Sequence, residues 1–144
     1  MQEASGQQPH ILRDLGDGLM LRRAAPQDIE PLIAFFSEVF DPRAGENIRA
    51  IITGTWLVGD LDHFTIVEDT QTGHIVSSLT LLSKTCVYGG ISFGVGQPEF
   101  VATHPDYRRR GLIRAQMDCS HRSDKARALL RALFPKQRSY IYPN

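Results

Sequence analysis

Three consecutive arginines and a glycine stand between a β-type run and a helical one. Val101-Ala102-Thr103 leads through His104-Pro105-Asp106-Tyr107 to Arg108-Arg109-Arg110-Gly111 and on into Leu112-Ile113-Arg114-Ala115-Gln116. A strand that passes through a short basic loop straight into a helix gathers backbone N–H groups, the positive end of a helix dipole and guanidinium groups at one place. Such a place suits a phosphate or diphosphate. Gly111 has a reason to be there, because a Cβ would obstruct approach of the backbone to a ligand. Charge alone favours an ordinary turn with solvated arginines over a ligand site. The lysine of a Walker A loop and the spaced glycines of a dinucleotide fingerprint are absent from this segment.

Other chemistry-bearing residues are sparse. Glu99 precedes Val101 by two positions and is a candidate general base if it faces a cleft; otherwise it is a solvated carboxylate near a strand end. His63, His74, His104 and His121 form no recognisable triad, and His104 before Pro105 reads as a turn-shaping residue. Cys86 and Cys119 are not a CxxC pair and have no obvious base beside them, so they read as reduced, partly buried small residues. There is no Gly-x-Ser-x-Gly elbow, and no cluster has the ligand spacing of a structural zinc site; no metal is expected.

The elements that must position these residues follow from the apolar spacing. Residues 1–17 read as a polar, irregular lead-in, and residues 19–22 as a short strand. The turn at 24–28 opens a helix whose apolar positions Ile29, Leu32, Ile33, Phe36 and Phe40 recur at spacings of three and four. Pro31 falls early enough in it to be tolerated. Residues 41–45 read as a loop and 47–53 as a shorter helix ended by Gly54. Residues 63–68 and 74–84 are β-type runs around a turn at 69–73, predicting a hairpin. A second turn is expected at Gly89-Gly90 within 86–93, a strand at 99–103, a helix over 112–133 ended by Pro135, and a last strand at 139–142. This order predicts a single α/β (α+β) domain over residues 18–144.

Composition agrees with one globular domain: 144 residues, 42% hydrophobic and 22% charged, leave no room for two cores and do not match a disordered chain. No apolar run approaches the roughly 18 residues of a membrane span, and the polar start lacks a secretion-signal core, so a cytoplasmic location is expected. The zero net charge hides an asymmetry: residues 1–100 hold 6 Lys+Arg against 13 Asp+Glu, and residues 101–144 hold 10 against 3. The basic last third implies a phosphate-bearing cofactor or a nucleic acid, unless two faces simply complement each other. A nucleic acid is the disfavoured partner, because no aromatic platform is interleaved with the arginines.

The pattern Arg108-x-x-Gly111-x-Ile113, after a strand and opening a helix, resembles motif A of the GNAT superfamily of acetyl-CoA-dependent N-acetyltransferases. The family usually has Gly or Ala where this chain has Ile113. The run Arg108-Arg109-Arg110-Gly111-Leu112-Ile113-Arg114-Ala115 is similar to that of the enhanced-intracellular-survival branch, which has a second Leu for the Ile. Leu21-Arg22-Arg23-Ala24 with Asp28 and Leu32 also resembles the family's first strand and helix. The resemblance implies a mixed central sheet flanked by helices and acetyl-CoA as cosubstrate.

Carried onto this chain, the resemblance places the pantetheine arm along Val101, Ala102 and Thr103. It places the diphosphate on Arg109, Arg110, Gly111 and Leu112, with Arg108, Ile113 and Arg114 adjoining as further cofactor contacts. It implies direct attack of an amine on the acetyl thioester. In the branch an Ile-Tyr pair carries the general acid, which makes Tyr142 the candidate here, with Tyr140 as the fallback if the strand register differs. The implied acceptor is an amine-bearing small molecule or a lysine side chain, and the acidic first 100 residues suit a cationic one. The family domain continues past its fifth strand, whereas this chain stops at Pro143-Asn144. An N-terminal fragment or a shortened relative is therefore expected, and a fragment of this kind would be inactive if its acceptor site were incomplete. A missing hairpin would leave an open sheet edge, which favours a homo-oligomer. A basic phosphate-binding module, or a domain that binds acetyl-CoA without catalysis, are the competing expectations.

Overall fold

The computed structural model describes residues 10–53 and 61–122. Five strands make one sheet in the order β1-β2-β3-β4-β5, and each pairs with the next in antiparallel fashion: β1 (Ile11–Gly16), β2 (Leu19–Arg23), β3 (Phe64–Asp69), β4 (His74–Tyr88) and β5 (Ile91–Thr103). Helices α1 (Ile29–Val39) and α2 (Pro42–Thr53) stand between β2 and β3, and α3 (Leu112–Arg122) follows β5. Single 3-10 turns occupy Pro26–Asp28, Leu61–His63 and Pro105–Tyr107. The expected strand at 139–142 and the end of the helix expected over 112–133 lie outside the described residues, as do Tyr140 and Tyr142.

Residues 11–16, read from sequence as part of an irregular lead-in, form a strand. Asp17 and Gly18 have φ of 53° and 77°, so they make the tight turn that matches the twist of a hairpin. The loop expected at 41–45 is instead the start of α2. The Asp41 side chain accepts from the Ala44 N–H at 2.9 Å, and Pro42 occupies the first helical position, where its missing N–H is no loss. Strand β5 is much longer than the 99–103 expected. Its outer part pairs with β4 from Leu81↔Pro98 to Tyr88↔Ile91 and closes at Gly89-Gly90, forming an arm beyond the last β3 partner, Thr80.

Alternation along the strands divides the core between two faces. Ile66 and Ala102 pack with Leu32, Phe36 and Ile48 beneath α1 and α2. Val67 and Val76 pack with Leu21, Leu112 and Ala115 beneath α3. The helix pair α1–α2 crosses closely at Gly45, where an added Cβ would sit 1.8 Å from Ser37 Oγ and 2.9 Å from the Ile33 carbonyl oxygen. The serine can rotate away but the carbonyl cannot. Gly45→Ala is therefore expected to lower stability by about 1–3 kcal/mol through forced separation of the helices, measured by urea denaturation at unchanged m-value. Among the described residues no helix is long and apolar enough to cross a membrane.

Candidate functional site: the β5–α3 junction

Strand β5 does not run regularly into the junction. Ser78 pairs with Ala102 but Thr80 pairs with Glu99, so β5 has one residue more than β4 between these rungs. This is a β-bulge at Phe100-Val101, and Phe100 takes a φ of 51° that side chains seldom adopt. The strain is offset by packing: the Phe100 ring lies 6.2 Å from both Phe36 and Phe64. Val101 is left 42% exposed, whereas Ala102 is buried in the core. Among the described strands β5 is an edge, so its outer side meets no other described strand.

Pro105 ends β5 by turning the chain into a single 3-10 turn, which His104 caps by accepting the Asp106 N–H on Nδ1 at 3.2 Å. Arg108 Nε donates to the Thr103 carbonyl at 3.3 Å, closing the loop on the strand end. Arg109 and Gly111 then take φ of 64° and 72°, and α3 begins at Leu112. The Ala115 N–H donates to the Gly111 carbonyl at 3.0 Å, so the amides of Leu112, Ile113 and Arg114 have no partner within the helix. Nothing lies within 4 Å of where a Gly111 Cβ would be, so the protein itself does not require the space; the left-handed backbone favours the glycine.

A cavity of about 330 Å³ opens here, lined by Thr103, Tyr107, Arg108, Arg109 and the stretch from Gly111 to Arg114. It brings together seven of the ten residues expected to contact a cofactor. Arg110 instead lines an adjoining cavity with Arg13, Asp14 and Asp17 on the far side of the helix start. Val101 and Ala102 lie on β5 outside both cavities, and Glu99 stands two residues before Val101, on the arm side of the bulge. Glu99 is half-buried opposite Thr80 and accepts a hydrogen bond from the Gln97 amide. Tyr142, the expected acid, lies outside the described residues.

Two features that position the junction escape sequence reading. Gln116 is fully buried. Its Nε2 donates to Ser77 Oγ at 2.7 Å, its Oε1 accepts from Thr65 Oγ1 at 3.3 Å, and Ser77 Oγ lies 2.9 Å from Thr103 Oγ1. Ser77 Oγ gives its proton to the Ala102 carbonyl at 3.1 Å, so it accepts from both Gln116 and Thr103. The second feature is Tyr107, whose hydroxyl donates to Asp69 Oδ2 at 2.6 Å. This bond holds the Asp69 carboxyl below the ordinary carboxylate range and pushes the Tyr107 phenol above its ordinary value. The helix-period position of Gln116, four residues after Leu112, was a signal that it faced the core.

Residues 20–143 match the family model for the acetyltransferase (GNAT) domain. The chain belongs to the GNAT acetyltransferase family. The β-bulge, the basic turn and the helix start are thus parts of a GNAT acetyltransferase domain. Among solved structures the chain is similar to an acetyltransferase of Trypanosoma brucei, at 20% identity and a TM-score of 0.48, over 88% of this chain and 96% of that one. No curated protein matches the chain. Among the described residues no group of three or more His, Cys, Asp or Glu is placed to hold a metal ion.

Proposed function

We propose that this chain is an acetyl-CoA-dependent N-acetyltransferase that passes the acetyl group directly to a primary amine. The observation that carries the reading is the junction itself, where three helix amides with no partner within the helix and the Arg108, Arg109 and Arg114 side chains border one cavity beside a strand edge that meets no other described strand. The amides of Leu112, Ile113 and Arg114 suit diphosphate oxygens, with Arg109 and Gly111 beneath and Arg110 on the adjoining side. The outer edge of β5 at Val101, Ala102 and Thr103 suits strand-like pairing with the amide-bearing pantetheine arm. The run from Arg108 to Ala115 also favours kinship with the enhanced-intracellular-survival branch.

In this reading the amine nitrogen attacks the thioester carbonyl carbon, the carbon–sulfur bond breaks, and the thiolate leaves. Glu99 takes the proton released from the amine, and the Tyr142 hydroxyl protonates the thiolate. Glu99 stands opposite Thr80 on β4. The acceptor is an amine-bearing small molecule or a lysine side chain. The test is release of free thiol from acetyl-CoA in the presence of a panel of primary amines. Glu99→Gln is expected to lower kcat by about a hundredfold while the Kd for acetyl-CoA stays unchanged. Full activity of that variant across pH 6 to 9 would remove Glu99 from the mechanism.

A further inference from the structure

Tyr107 and Asp69 come from turns 38 residues apart in the chain, yet they make a short hydrogen bond at 2.6 Å. Asp69 ends β3 and is itself fixed, because its Oδ1 accepts the Gln71 N–H at 2.9 Å and its carbonyl accepts the Gly73 N–H at 2.7 Å. The β3–β4 turn is therefore a rigid post, and Tyr107 is tied to it. The ring of Tyr107 in turn carries the Arg110 guanidinium 5.0 Å from its centroid, and packs edge-on against His104 at 5.8 Å. Arg110 also donates to the Asp106 carbonyl at 3.3 Å. The clamp thus grips the basic turn on both sides of Arg108 and Arg109. Arg109, at φ 64°, is the residue whose backbone must hold an unusual conformation ahead of the helix amides.

From this geometry we infer that Asp69 and Tyr107 are a positioning pair that presets the basic turn for a diphosphate. The inference rests on the proposed acetyl-CoA site and adds to it the means by which the turn is held before ligand arrives. Asp69 lines neither cavity, and although Tyr107 lines the one beside Arg109, its hydroxyl is engaged with Asp69. The depressed Asp69 carboxyl keeps the acceptor ionised, and the raised Tyr107 phenol keeps the donor protonated, throughout the neutral range. A turn held in this way gives up less freedom on binding, and the gain falls on the part of the ligand the turn holds.

The test compares acetyl-CoA with S-acetylpantetheine, which keeps the thioester and arm but lacks the nucleotide diphosphate. Tyr107→Phe removes only the hydroxyl. It is expected to weaken acetyl-CoA binding about tenfold and to leave S-acetylpantetheine binding unchanged. Asp69→Ala should weaken acetyl-CoA binding at least as much, since it also removes the acceptor of the Gln71 N–H, and the double variant should be no weaker than Asp69→Ala alone, because the Tyr107 change then removes nothing further. Asp69→Asn, which keeps a polar partner for the phenol, should recover part of the loss. Losses that add in the double variant, equal losses for both ligands, or no loss in a folded Tyr107→Phe chain would each overturn the inference. If the wild-type chain binds acetyl-CoA no better than S-acetylpantetheine, the diphosphate site itself is wrong and the pair falls with it. Circular dichroism and Tm, followed for every variant, separate a lost fold from a lost site.

Discussion

Asp28→Ala is expected to destabilise the chain by about 3–5 kcal/mol, which lowers Tm by about 10 °C or more. Arg22 points from β2 into the face covered by α1, where its side chain is 8% exposed and that of Asp28 is 5% exposed. The pair is bidentate, with Nη1 at 2.6 Å and Nη2 at 2.8 Å from the two carboxylate oxygens, and Arg22 Nε reaches Glu68 on β3 at 2.7 Å. Asp28 also accepts the Ala25 N–H at 2.7 Å, so the same carboxylate caps the turn that opens α1. The hydrogen bonding to the Asp28 carboxylate is the largest reason that the Arg22 guanidinium holds its proton more tightly than usual.

Removing Asp28 leaves a buried guanidinium with the Arg23 carbonyl and a single, partly exposed charged partner, Glu68, together with an uncapped turn, so the desolvation cost of the charge is no longer offset. Two comparisons give the expectation its content. Arg22→Met combined with Asp28→Ala should recover part of the loss, because no charge is then buried alone. Glu30→Gln should leave Tm almost unmoved, since its ion pair with Arg49 lies in solvent with side chains 70% and 41% exposed. Similar Tm losses for Asp28→Ala and Glu30→Gln would mean that burial is not what gives the first pair its weight.

Gly111→Asp combined with Arg114→Glu is expected to weaken acetyl-CoA binding by at least about a hundredfold, read by calorimetric titration. The two changes place carboxylates at the mouth of the cavity and remove one of its guanidinium groups. What makes the variant informative is that the fold should barely notice. A Cβ at Gly111 meets nothing within 4 Å, so its cost is confined to the left-handed backbone at φ 72°. Arg114 is exposed in the first turn of α3, where a carboxylate favours the helix dipole and an arginine does not. Helix energetics and ligand energetics therefore move in opposite directions at this position. Unchanged binding in the double variant would place acetyl-CoA elsewhere.

The parts of the fold visible in the sequence are those with local punctuation. The turn at 69–73 and Gly89-Gly90 announce two hairpins, and the spacing of Ile29, Leu32, Ile33 and Phe36 announces α1. The start of α3 at Leu112 follows directly from the basic turn and Gly111. What escapes is structure in which a local signal is overruled. Arg13 and Asp14 hide the alternation of β1, whose Leu12 and Leu15 pack on the α3 side. Gly45 reads as a breaker but is the contact that lets α1 and α2 approach. Pro98 and the glycines at 94 and 96 read as a break, yet an edge strand tolerates them because its outer N–H groups need no partner strand. For the site, the loop and its arginines were legible because they are contiguous. The Asp69–Tyr107 bond and the Gln116 network join residues 38 and 39 or more positions apart, and no spacing along the chain encodes them.

The bulge in β5 has a consequence for the order in which the molecule assembles. A hairpin of this kind forms in about 1–10 μs by zipping outward from its turn. From Tyr88↔Ile91 to Thr80↔Glu99 every rung follows one register, and simple continuation would set Val101 opposite Ser78. The native pairing of Ser78 with Ala102 needs a shift by one residue, which is rewarded by Phe100 entering between Phe36 and Phe64, by burial of Ala102 and by the bonds of Ser77 to Ala102 and Thr103. Zipping is therefore expected to pause one step short of the functional register until α1 and α3 cover the two faces of the sheet. The strand that would receive the pantetheine arm is completed by long-range collapse, so the site matures after the scaffold that surrounds it.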